Sequence, residues 1–144
     1  MDKLRVIVAD DHEDMLHELV RMLQKDFEII GTASNGRELV DAAIAVRPDV
    51  IVTDISMPRL SGPQALQELK TQGYKFPFVF VSATQGYKFP FVFVNSLDDM
   101  YSQFAWSFVD KMDVCVELVP AVQAVASGKT YVSSRHRAQI GIEP

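Results

Sequence analysis

Among 144 residues there is one cysteine, Cys115, so no disulfide can close within the chain, and its reading is that of a small packed apolar side chain. No uninterrupted apolar run approaches the roughly 18 residues of a membrane span, because Lys, Gly and Pro break the longest candidates. The first residues, MDKLRVIVADD, lack the apolar stretch of a signal peptide, which places the expectation in the cytosol. Positive charge is also scarce. With 14 Lys plus Arg against 19 Asp plus Glu, the net charge is −5, and general attraction to a nucleic-acid backbone is excluded. Cys and His do not occur at zinc-ligand spacing, and Arg135-His136-Arg137 is too short a basic tract for a nucleic-acid module.

What the chain does have is 48% hydrophobic residues, enough to close one sizeable core. The apolar residues alternate between two periods. Leu4 to Ala9, Phe27 to Ala33, Val50 to Thr53, Phe76 to Val81 and Trp106 to Val109 read as five short buried strands. Between them, Leu16, Leu19, Val20 and Leu23 mark one amphipathic helix, and Leu39, Val40, Ala43 and Ile44 another that ends before Pro48, with Asn35-Gly36 as a turn. Gly62-Pro63 opens a third helix bearing Ala65, Leu66 and Leu69. Leu118, Val119, Val122, Val125 and Ala126 form a last one stopped by Gly128, in which Pro120 implies a kink or a later start.

Such alternation implies right-handed βαβ crossovers and a parallel sheet covered on both faces, with ligands outside the carboxyl ends of the strands. Asp10, Asp11, Asp54, Ser82 and Lys111 all fall at predicted strand ends on that edge. Each alone has a bland reading: a helix cap, a turn residue before Pro58, a strand-end hydroxyl, a surface lysine. Their convergence carries the argument. Three carboxylates brought together repel one another unless a cation sits among them, and an oxygen-only ligand set suits magnesium. A carboxylate such as Asp54 can attack a phosphoryl group while a lysine, Lys111, supplies a second positive contact. His12 and His17 lie near this cluster and read as surface residues.

One feature interrupts the pattern. Residues 71–81, TQGYKFPFVFV, recur unchanged at 84–94. A unit repeated once is not a solenoid. It is one strand written twice at a period of 13 residues, and either copy suits the same slot, which raises the prospect of an added strand, of strand exchange and of aggregation.

VIVADDH at 6–12, VTDISMPRLSG at 52–62, VSA at 81–83 and FVDK at 108–111 resemble the receiver domains of two-component response regulators, especially the branch with a C-terminal helix-turn-helix domain. The resemblance spans about residues 4–133, and 1–133 reads as the domain with 134–144 as a tail or linker stub. It implies a doubly wound, five-stranded parallel α/β sheet of flavodoxin-like type. It further implies that Asp54 is the phosphoacceptor, with Mg2+ held by Asp54, by Asp11 directly, by Asp10 through water and by the Ser56 backbone carbonyl. Ser82 would be the switch hydroxyl, Lys111 the ion-pair partner of the phosphoryl group, and Phe108 the aromatic that turns inward on activation. The implied partner is a sensor histidine kinase, with no direct contact to nucleic acid or membrane, and the only chemistry is self-catalysed phosphoryl transfer and slow autodephosphorylation. The interval from Asp54 to Ser82 suits the family and that from Asp54 to Asn95 does not, so the first copy is expected to be the fourth strand. The interval from Ser82 to Lys111 is then longer than the family's, which throws the extra residues onto the fourth crossover. Two rival readings remain: a phosphorylation-independent scaffold or strand-exchanged homodimer built on the repeat, and a metal-dependent phosphohydrolase, disfavoured because Ser56 stands where the latter would carry an acid.

Overall fold

The computed structural model describes residues 3–83 and 106–133. The second copy of the repeat, and with it the expected strand exchange and the fourth crossover, lies outside the described residues, as does the tail. Among the described residues, six parallel strands stand in the order β2-β1-β3-β4-β5-β6: β1 (Arg5–Ala9), β2 (Glu28–Ala33), β3 (Val50–Asp54), β4 (Phe78–Ser82), β5 (Trp106–Asp110) and β6 (Tyr131–Val132). Five were expected. The sixth has two residues and follows the last helix, pairing Tyr131 with Ser107 and Val132 with Phe108. The first copy of the repeat supplies β4, as its spacing from Asp54 requires.

Each strand sends alternate side chains to opposite faces, and the sequence sorts them by shape. Val6, Val8, Val50, Val52, Val79, Val81 and Val109 enter one core, with α1 (Glu13–Leu23) and α4 (Val114–Ala126) above them. Ile7, Ile51, Phe78, Phe80, Trp106 and Phe108 enter the other, beneath α2 (Gly36–Val46) and α3 (Gly62–Thr71). The valine face is thin and the aromatic face bulky. On the latter, the rings of Phe78 and Phe80 stack at 5.4 Å.

Local chemistry sets the helix ends. Asn35 is the N-cap of α2, its side chain accepting from Glu38 N at 2.9 Å, so the expected Asn35-Gly36 turn is a helix start. At the other end of α2, Arg47 takes a left-handed conformation (φ 49°) before Pro48, and the Arg5 guanidinium donates to the carbonyls of Val46 and Arg47, each at 2.8 Å. A reciprocal Ser61–Gln64 capping box opens α3, with Pro63 in its first turn. Helix α4 begins four residues before the expected apolar stripe and runs through Pro120. The carbonyl that Pro120 leaves without a donor belongs to Val116, whose residue is 78% exposed, so water can satisfy it. Cys115 shares that outer face and is exposed, which corrects the expectation of a packed side chain. The helix buries Val114, Leu118, Ala121, Val122 and Val125 instead, and position 115, in the first turn, falls at the edge of that stripe and is left open.

Candidate functional site

The strand order reverses at β1 and β3, and their carboxyl ends carry the acids. Asp10 follows β1 and is wholly buried; Asp54 ends β3 and is 4% exposed. Asp11 lies beside them, open to solvent. Ligand atoms of Asp10, Asp11, His12 and Asp54 all lie within 4.8 Å of one another. From the other side of the sheet, Lys111 reaches over the end of β4, its Nζ at 3.3 Å from Asp54 Oδ2 and 3.5 Å from Asp10 Oδ2. Four of the residues expected at this edge therefore meet.

Asp10 is held by the His12 backbone N–H, which donates to its Oδ1 at 2.9 Å. Its Oδ2 is buried and makes no hydrogen bond among the described residues. The carboxyl of Asp54 is pushed above the ordinary range, chiefly because burial disfavours its charge, and further because Asp10 is close. Lys111 and a hydrogen bond from the Ser56 backbone N–H pull in the opposite direction. The cluster thus concentrates negative charge that one ammonium does not fully offset. A buried carboxylate oxygen that has the Lys111 ion pair but no hydrogen bond among the described residues, together with an oxygen-rich donor set, fits a hard divalent cation.

The loop after Asp54 is set by close backbone packing. Gly62 N donates to Ile55 O at 2.8 Å, and a Cβ on Gly62 would stand 2.5 Å from the Asp54 carbonyl oxygen. A Cβ on Gly36 would stand 2.1 Å from the Leu60 carbonyl oxygen, in the same loop. Sequence reading assigned Gly62 to the start of a helix and missed this second requirement, because the approach is tertiary. Between them, Met57 is buried, and Thr53 Oγ1 donates to the Asp54 carbonyl at 3.0 Å.

The remaining expected residues are more loosely placed. Ser82 is half-buried at the end of β4, one residue beyond Val81, the partner of Asp54 in the ladder, and its Oγ donates to the Ala83 carbonyl at 3.5 Å. Phe108 is wholly buried on the aromatic face. His12, read as a plain surface residue, is indeed 72% exposed, yet its Nδ1 lies 3.2 Å from Asp11 Oδ1. Sequence reasoning also passed over Asp110. This residue is 2% exposed, and its side chain accepts from Met112 N at 2.9 Å, capping the 3-10 turn Lys111–Asp113. An Asp immediately before the lysine was the available signal. No described helix is long and apolar enough to cross a membrane.

Comparison with known proteins agrees with this geometry. The response regulator receiver domain family matches residues 6–95. A protein-glutamate methylesterase/protein-glutamine glutaminase from Geobacter metallireducens is 48% identical over 69 residues, 46% of this chain and 19% of that protein. The chain therefore spans about a fifth of that relative's length. The signal receiver domain of NarL from Mycobacterium tuberculosis superposes with a TM-score of 0.77 at 26% identity, covering 90% of this chain and 100% of that one. A LuxR-family two-component response regulator from Aurantimonas superposes with a TM-score of 0.84 at 19% identity, covering 97% of this chain and 96% of that one, which speaks to the fold alone. With the acidic edge, the parallel sheet and the family match in agreement, the chain belongs to the response regulator receiver domains of two-component signalling.

Proposed function

We propose that this domain is a phosphoacceptor switch in which Asp54 takes a phosphoryl group from a phosphohistidine of a sensor histidine kinase. The observation that carries the reading is the buried Asp54 carboxylate beside Asp10, with the Lys111 ammonium 3.3 Å away. In the transfer, an Asp54 carboxylate oxygen attacks phosphorus and the P–N bond to imidazole breaks. The bonding pair leaves with the ring nitrogen, and an acyl phosphate forms. Lys111 stabilises charge that builds on the phosphoryl oxygens, and Asp10, fixed by the His12 N–H, keeps the pocket acidic and oriented. Asp10, Asp11, Asp54 and the Ser56 carbonyl are the proposed holders of Mg2+, which when bound neutralises charge between Asp54 and the incoming phosphate.

The acyl phosphate adds roughly −1.5 to −2 charges at the end of β3. Ser82 is the proposed hydroxyl that follows it, and Phe108, on the strand that leads into Lys111, the proposed aromatic that answers. A shift from 1:99 to 99:1 between resting and active states needs about 5.5 kcal/mol of preference for the active one. The domain acts in the cytosol and does not itself hold DNA. Incubation with acetyl phosphate and Mg2+ should label the wild type on one carboxylate and leave Asp54→Asn unlabelled; equal labelling of the two would end the reading.

The recurrence of the β4 sequence at 84–94 favours one rival, an interaction scaffold that assembles irrespective of phosphate. Sizing with and without beryllofluoride, which mimics the acyl phosphate, separates the two. The scaffold gives the same oligomer in both states, the switch a different one.

A further inference from the structure

Lys111 sits in a short turn whose backbone is tied down from a part of the chain distant in sequence. Ser133 follows β6 and is wholly buried, and its Oγ accepts from the Asp110 N–H at 2.9 Å. Its own N–H donates to the Phe108 carbonyl at 2.8 Å, extending the β5–β6 ladder by one step. On the other side of Lys111, the Asp110 carboxylate accepts from the Met112 N–H at 2.9 Å. The Val109–Asp110 peptide, one residue before the lysine, is thus held by Ser133, and the Lys111–Met112 peptide after it by the carboxylate of Asp110, the residue whose N–H Ser133 holds.

We propose that Ser133 is a positioning residue for phosphoryl transfer, acting through the Asp110–Met112 backbone to set where the Lys111 ammonium stands over Asp54. This inference rests on the phosphoacceptor reading of Asp54. The physical reason is that a long, flexible lysine side chain reaches a given point only as reproducibly as its Cα is held, and small displacements of a charge-stabilising group cost rate.

Ser107 offers a matched control. Its hydroxyl, also buried, donates to the Tyr131 carbonyl at 2.6 Å, so it fastens β6 to β5 without touching Asp110. Labelling by acetyl phosphate at saturating Mg2+ should slow on the order of five- to tenfold in Ser133→Ala, the loss of one buried hydrogen bond read as rate, and stay at the wild-type value in Ser107→Ala. In a Lys111→Ala background, Ser133→Ala should add no further loss. Wild-type rates in Ser133→Ala, an equal loss in Ser107→Ala, or an undiminished effect without the lysine would each overturn the inference.

A second readout needs neither donor nor metal. Amide exchange at Asp110 and Met112 should quicken in Ser133→Ala and not in Ser107→Ala; unchanged protection overturns the clamp. Should the wild type take no phosphate at all, the reading of Asp54 fails while the exchange result still decides whether Ser133 holds the turn.

Discussion

The two sides of the pocket are built differently. On the acidic side, Asp10 and Asp54 end neighbouring strands that pair directly, Val6 with Val50 through Ala9 with Thr53, so each carboxylate is placed by the strand that carries it. On the basic side, Lys111 leaves β5, crosses the end of β4 and depends on a turn capped by Asp110 and held by Ser133, a residue that follows the two-residue strand β6. Strand pairing is cooperative and central. The lysine's support is peripheral and rests on a few named hydrogen bonds. The acidic side should thus resist perturbation, and the basic side should be where the pocket is tuned.

The largest effect that would break this contrast concerns the lysine itself. Lys111→Ala should reduce the rate of Asp54 labelling by about 10²-fold while Mg2+ affinity stays within a small factor, since the acidic side persists without it. A loss of metal binding as large as the loss of rate would mean that the two sides are not separable.

Next comes the loop that the acidic side leans on. Gly62→Ala puts a Cβ 2.5 Å from the Asp54 carbonyl oxygen, and the overpacking should cost about 1–3 kcal/mol in chemical denaturation and slow labelling as well. Gly73→Ala probes a glycine with φ of 92° and no atom of the described residues within 4 Å of its Cβ position, so its expected cost is backbone strain, without an effect on labelling.

The charge balance sharpens the comparison through pH. Asp54 has its folded pKa raised by burial and by Asp10, so folding favours its protonated form, and the ionised form carries a cost at neutral pH. That cost is present above the raised value and fades as pH falls toward the ordinary aspartate value of 3.8. Metal-free Asp54→Asn should therefore unfold at higher denaturant than the wild type at pH 7, with the gap closing in acid. Mg2+ should close it from the other direction by stabilising the wild type alone. A variant less stable than the wild type throughout would contradict the picture of crowded carboxylates.

The smallest effect lies away from both sides. Asn35→Ala removes the N-cap of α2 and should cost about 1 kcal/mol by thermal unfolding without changing the labelling rate.

Much of this was legible beforehand, for reasons visible in particular residues. Short β-branched runs ending in Asp10-Asp11 and Asp54 identify strands and their functional ends together, because a buried parallel strand has no other place for an acid. The Ser61-Gly62-Pro63-Gln64 run carries its helix start in its own chemistry. The early start of α4 was hidden, since Pro120 argues against a helix, whereas the exposure of Val116 on the outer face lets water replace the lost donor. Asn35-Gly36 reads equally as turn or cap until the following helix is packed. Cys115 looked apolar among valines, and only the orientation of α4 turned it outward.

Residue order alone determined the alternation of elements, the sorting of valines and aromatics onto opposite faces, and the acids at the strand ends, because side-chain period and strand direction are local properties. Only the tertiary structure decided that β6 adds to the sheet, that Gly36 and Gly62 lie against loop carbonyls, and that Ser133 holds the turn under Lys111. Those contacts join positions far apart in the chain, and no local pattern records which distant backbone atom will arrive opposite a given side chain.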